Sequence, residues 1–193
     1  MKQMIRWIGT AGVVAAVTAV PGRVLADRFM QHWERSLKSL EETKFTQAKA
    51  IEVAEAQTKG KAVSTHNVVL KNTLAIWVHC YADDKCLIVP VDPKSGKAAE
   101  SWVGVPADLS CSTAAEATKL MAESKASLTK AIETAEAHTK GKAFSSKTDV
   151  KDGALTITIG CGVEGKAKVV TIDGKTGQVT KTEDSNYVSP PPP

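Results

Sequence analysis

The side chains most able to do chemistry here are four cysteines, Cys80, Cys86, Cys111 and Cys161, and four histidines, His32, His66, His79 and His138. Thiols and imidazoles serve redox exchange, nucleophilic catalysis and metal ligation, so their spacing comes first. No two cysteines stand as CxxC and none opens a CxxCH. That removes a thioredoxin-type redox pair and covalent haem attachment. An even count favours disulfides instead where a chain is exported. Asp83-Asp84, Asp92 and Asp173 lie in short polar turns that could hold a hard cation. Lys94 and Lys175 stand where an EF-hand loop needs acids, so that motif is absent. Glu52, Glu55, Glu133 and Glu136 read as solvated helix positions paired with lysines. No phosphate loop, GxSxG or HExxH occurs, and no serine has a base and an orienter. The expectation is a protein with no catalytic residues, and with no cofactor unless it holds a metal ion.

The elements that must position these residues come in two copies. Lys49–Ala62 reads KAIEVAEAQTKGKA and Lys130–Ala143 reads KAIETAEAHTKGKA, with 12 of 14 positions identical at an offset of 81. The same offset aligns Leu74–Cys80 with Leu155–Cys161, and Val91–Lys97 with Ile172–Gln178, without a gap. Each copy opens with a helix that Thr46 or Ser127 can cap. Gly60 and Gly141 stand where a left-handed residue ends a helix. Strands follow. Asp152-Gly153 predicts a two-residue hairpin turn, with Lys71-Asn72 in its place in copy one. Three-residue loops are expected at Ala82-Asp83-Asp84 and Val163-Glu164-Gly165. A last short strand is expected near Val179.

These words resemble the PepSY domain family, met in propeptides of secreted metallopeptidases and in bacterial surface proteins. The resemblance lies in the opening helices (Ala50-Ile51-Glu52 with Ala54-Glu55-Ala56, and Ala131-Ile132-Glu133 with Ala135-Glu136-Ala137) and in the V-D-x-K-S/T-G turns at 91–96 and 172–177. It implies an α+β fold of two tandem units, each a helix packed on a small antiparallel sheet of three to four strands. It also implies extracytoplasmic, non-catalytic work: peptidase inhibition or assistance, ligand or metal binding, or signalling.

The N-terminus agrees with export. Lys2 and Arg6 precede an apolar stretch from Ile8 to Val20, and Val24-Leu25-Ala26 suits a signal peptidase. The organisation read from the sequence is a signal peptide at 1–26, an amphipathic helix at 27–42 and a first unit at 43–104. A linker or helix at 105–126, a second unit at 127–182 and a proline-rich tail at 183–193 follow. Residues 1–26 hold three bases and no acid, so the remaining 22 bases and 21 acids leave a net charge of +1. That balance argues against a nucleic-acid binder, which concentrates basic charge. Membrane contact is expected only through an uncleaved signal segment, and the location is periplasmic or secreted.

Alternation along the strands sorts the faces. Leu74, Ile76, Val78 and Cys80 point towards the helix, as do Leu155, Ile157, Ile159 and Cys161. The opposite face of copy one gathers Trp77, His79, Tyr81, His66, Leu87 and Val89, where copy two has mostly Thr, Gly and Lys. This face is the candidate contact surface for an extracytoplasmic protein or peptide, or for a second copy of the chain. The helix at 27–42 could instead cover it. His66 and His79 share that face and could ligate Cu or Zn, although two histidines make an incomplete site. A periplasmic metal-binding protein is therefore the alternative function. The expected three-residue loop centred on Asp83 places Cys80 opposite Cys86, giving the pairing Cys80–Cys86 and Cys111–Cys161. The rival is Cys80–Cys161 with Cys86–Cys111.

Overall fold

The computed structural model describes residues 38, 44–70, 73–104, 113–124, 126–164 and 166–185. The expected signal segment and the Lys71-Asn72 turn lie outside these residues. So do the tail beyond 185 and the 27–42 helix, apart from Lys38, which is helical and exposed. The fold is α+β. Its elements are α1 (Gln47–Thr58), β1 (Lys61–Leu70), β2 (Thr73–Ala82), β3 (Lys85–Asp92), β4 (Lys97–Ala98), β5 (Trp102–Val103), α2 (Ala114–Ser124), α3 (Leu128–Thr139), β6 (Lys142–Lys151), β7 (Ala154–Val163), β8 (Lys166–Asp173) and β9 (Val179–Ser185). Every bound from α1 to β3 recurs 81 residues later, from α3 to β8. The last strand runs on to Ser185, into the segment read as tail.

The repeated words have physical content. Thr46 and Ser127 cap their helices as expected, each accepting from the N–H three residues on, at 3.2 Å. The left-handed residues that end the helices are Lys59 (φ 58°) and Lys140 (φ 59°), not the glycines. Gly60 serves close approach instead: a Cβ there would lie 2.5 Å from the Tyr81 carbonyl oxygen, and Gly141 presses on Gly162 in the same way. Glu55 and Glu136 are not merely solvated. They accept from the backbone N–H of Ala62 (3.0 Å) and Ala143 (2.9 Å), tying each helix to its first strand where that strand bulges. In the V-D-x-K-S/T-G turn the aspartate is a local cap. Asp92 accepts from the Lys94 N–H and the Ser95 hydroxyl, both at 2.8 Å, and Gly96 takes φ 68°. Asp173 accepts from the N–H groups of Thr176 (2.7 Å) and Lys175 (3.0 Å), with Gly177 at φ 71°. These backbone donors hold both carboxyls below their ordinary range.

The two small sheets join edge to edge through β1 and β6, making one nine-stranded antiparallel sheet in the order β4-β3-β2-β1-β6-β7-β8-β9, with β5 also on β3. Helices α1, α2 and α3 all cover the same face, and α2 lies across the seam against β1, β2, β6 and β7. Small residues let the helices sit close: Ala50, Ala54, Ala117 and Ala135 are fully buried, beside Ile51 and Ile132. The seam is centred on two equivalent residues. Thr65 pairs with Ser146, 81 positions later, and their hydroxyls meet at 2.7 Å. Thr65 also donates to Gln47 Oε1 at 2.6 Å, and Thr148 donates to the Val63 carbonyl at 2.9 Å. A one-residue slip would break these buried bonds, so the polar seam specifies its own register.

Candidate functional site

Which residues share the outer face depends on the β2–β3 turn. Asp83 and Asp84 have φ of 48° and 59°, a two-residue type I′ turn, and Ala82 pairs with Lys85. The expected three-residue loop is one residue too long. Cys80 faces Leu87, His79 faces Ile88 and Trp77 faces Pro90. A shift of one residue turns every side chain of β3 over. Leu87 and Val89 therefore leave the candidate surface, and Val89 and Val91 join the core at 0% exposure. Cys86, Ile88 and Pro90 take their places outside. The same correction holds in the second unit, where Val163 pairs with Lys166.

The β1 register is as expected, with His66 opposite Trp77 and Val68 opposite Ala75. Trp77, His79, Tyr81 and His66 therefore do share one face. The His66 and His79 rings stand 5.1 Å apart between centroids, tilted 58°, and His66 and Trp77 stand 5.7 Å apart. Trp102, on β5 opposite Ile88, meets Trp77 edge-on at 5.3 Å. It is 41% exposed, whereas His79 is 1% exposed. Tyr81 donates its hydroxyl to Asp84 at 3.0 Å, a bond that raises the phenol pKa. Sequence reasoning missed Trp102. The offset of 81 sets it against Glu183, and an aromatic facing a charge in an otherwise close repeat was the available signal.

The equivalent face of the second unit is polar. Thr158, Gly160, Lys147 and Asp149 replace Trp77, His79, His66 and Val68. One exchange is structural. A Cβ on Gly160 would lie 2.8 Å from the Phe144 ring, so the missing side chain makes room for Phe144, which is 2% exposed. In the first unit those two positions are Val63 and His79, the small and large residues having changed places.

The metal and disulfide expectations fare differently. Among the described residues no three His, Cys, Asp or Glu side chains cluster, and His66 and His79 stand as a pair. Asp92 engages both carboxylate oxygens in its own turn, and Asp173 engages its Oδ1. Cys80 and Cys161 are free and buried, so neither Cys80–Cys86 nor Cys111–Cys161 forms. The shorter turn is the reason, since it sends Cys80 inward and Cys86 outward. Cys86 is disulfide-bonded. Burial pushes the thiols of Cys80 and Cys161 up to about 11. Neutral and enclosed, they are poor nucleophiles. His138 lies exposed on α3, 3.1 Å from the Thr182 hydroxyl.

Comparison with known proteins places the second unit. No curated protein sequence matches the chain. A solved structure from Clostridium difficile 630, provisionally described as a lipoprotein, overlaps with a TM-score of 0.44 at 18% identity. It covers 70% of this chain and 90% of its own, and that overlap is too loose to carry function across. Residues 125–183 match the PepSY family, described as peptidase propeptide and YPEB domain. That stretch holds α3 and the strands after it, so a PepSY domain is found in the second unit, at residues 125–183.

Proposed function

We propose that both units are PepSY domains and that the chain is a non-catalytic, extracytoplasmic binding or regulatory protein. Its partner is a protein or peptide, with a peptidase as the class the family suggests, docking on the outer face of the first unit at His66, Trp77, Tyr81 and Trp102. One observation carries this reading. The units keep equivalent inner faces, yet only the first builds an aromatic ladder on its outer face, ending in a tryptophan 41% exposed. Exposed tryptophans packed on other aromatics are common anchors of protein interfaces. Residues 125–183 as a PepSY domain and the export-like N-terminus support the location.

The test is capture from the native envelope fraction with the mature chain as bait. A partner held by the wild type and by Thr158→Ala should be lost with Trp102→Ala. Retention by Trp102→Ala and Trp77→Ala alike would sink the proposed face. The His66–His79 pair supports a second reading, a Zn or Cu site. Isothermal titration of the mature chain with each ion separates the two, because a metal site must give a saturable signal that a His66→Ala, His79→Ala double variant loses.

A further inference from the structure

The two units also differ at one place on the helix side. Phe45 precedes the cap of α1, and its ring reaches the turn after β3, with Cε2 3.4 Å from where a Cβ on Gly96 would stand. Phe45 is half-buried against the core. The residue 81 positions on is Ala126. Where the first unit holds a phenyl ring, the second holds a cavity of about 210 Å³ between the start of α3 and the 173–177 turn. Ile157 and Ile172, each 1% exposed, line its floor, and Lys130 and Lys175 stand at its rim with exposed side chains. Asp173 also lines it, with its Oδ1 accepting from the N–H groups of Thr176 and Lys175.

We infer that this cavity is a receptor for one aromatic side chain: the second unit binds a peptide that inserts a phenylalanine ring beside Ala126, with a neighbouring carboxylate meeting Lys130 and Lys175. The first unit shows what fits there, since its own Phe45 fills the equivalent space against the same elements. Size agrees, because a cavity of about 150 Å³ admits benzene, although this one opens to solvent and Ser124, Ser127 and Thr134 also line it. Charge agrees as well, since the two rim lysines outnumber the single lining carboxylate of Asp173 and favour an anionic neighbour. This site lies in the other unit from the aromatic face and does not depend on it.

The experiment uses the ¹⁵N-labelled mature chain titrated with N-acetyl-L-phenylalanine into the millimolar range. Amide signals of 127–134 and 174–177 should shift and saturate. N-acetyl-L-phenylalaninamide, lacking the carboxylate, should bind severalfold more weakly, and N-acetyl-L-alanine should leave those signals in place. Ala126→Phe, which copies Phe45, should abolish the shifts and melt no lower than the wild type. Lys130→Gln, a surface change that leaves the fold intact, should weaken the acid probe towards the amide. No shift at those positions, an equal response to the alanine probe, or undiminished shifts in Ala126→Phe would each overturn the assignment. Trp77→Ala and Trp102→Ala should leave the shifts unchanged, so the two sites succeed or fail separately.

Discussion

Replacing Thr65 with valine tests the seam that makes two units into one body. The change keeps shape and removes one hydroxyl. That hydroxyl donates to Gln47 Oε1 at 2.6 Å, so in the contact with Ser146 at 2.7 Å it must be the acceptor. Gln47, Thr65 and Ser146 are 1%, 1% and 4% exposed, so water does not replace the lost partner easily. Thr65→Val therefore strands two buried polar groups, each costing about 1–3 kcal/mol. Part of that is offset by burying a methyl in place of a hydroxyl. The expected loss is about 3 kcal/mol, a fall in Tm of roughly 6–12 °C for a body of this size. Ser146→Ala strands nothing at Gln47 and should cost only about 1 kcal/mol. The double variant should cost less than the sum, because the Ser146 donor is no longer left unpaired. Urea unfolding read by tryptophan fluorescence and by circular dichroism supplies the numbers. One transition, coincident in both probes, is expected because α2 and the seam share a single core. A Thr65→Val loss under about 0.5 kcal/mol, or two resolved transitions in the wild type, would refute the shared-seam argument.

Further outcomes concern the cysteines, the ends of the helices and the aspartate turns. Thiol titration of the unreduced protein should find no reactive cysteine when folded and two when unfolded. Non-reducing peptide maps should link Cys86 to Cys111, and a Cys80–Cys161 peptide would contradict the fold. The same two thiols, raised to about 11 when folded, hold stability that is complete below their unfolded pKa of about 8.5 and lost as pH rises towards 11. An alkaline unfolding limb that does not flatten in the Cys80→Ala, Cys161→Ala double variant would count against their burial. Gly60→Ala, which sets a methyl 2.5 Å from the Tyr81 carbonyl oxygen, should lower stability by about 2 kcal/mol or more. Lys59→Gly should instead raise it by up to about 1 kcal/mol, by relieving a left-handed lysine, and chemical denaturation checks both signs. At the acid end, the carboxyls of Asp92 and Asp173 are lowered by their turn donors. Their contribution is present above the unfolded value of about 3.9 and lost as pH falls through the folded one. Asp92→Asn with Asp173→Asn, which keeps one acceptor oxygen in each turn and removes the charge, should flatten the acid limb of a Tm-versus-pH curve.

Much of this protein was legible one residue at a time. The offset of 81, the capping Thr46 and Ser127, the Asp152-Gly153 turn and the inward row Leu74, Ile76, Val78 and Cys80 all follow from local rules. Propensity, capping and period-two alternation act within a few residues, so a sequence displays them directly. The outward row Trp77, His79 and Tyr81 was readable for the same reason. What sat on β3 was not. Ala82-Asp83-Asp84 suits a two-residue or a three-residue turn, because aspartate tolerates the left-handed conformation that both require. That single residue of loop length decided whether Leu87 and Val89 faced a partner or the core, and whether Cys86 could reach Cys80. The joining of β1 to β6 was equally hidden. It rests on the Thr65–Ser146 contact between residues 81 apart, and any one such pairing looks ordinary until the helices bring both edges together. So does the space beside Ala126, an alanine like many others until Phe45 in the equivalent place shows what it leaves unfilled. Local periodicity determined the elements and their inner faces, whereas long-range register determined which outer residues meet, because pairing energy is realised only once distant strands are in contact.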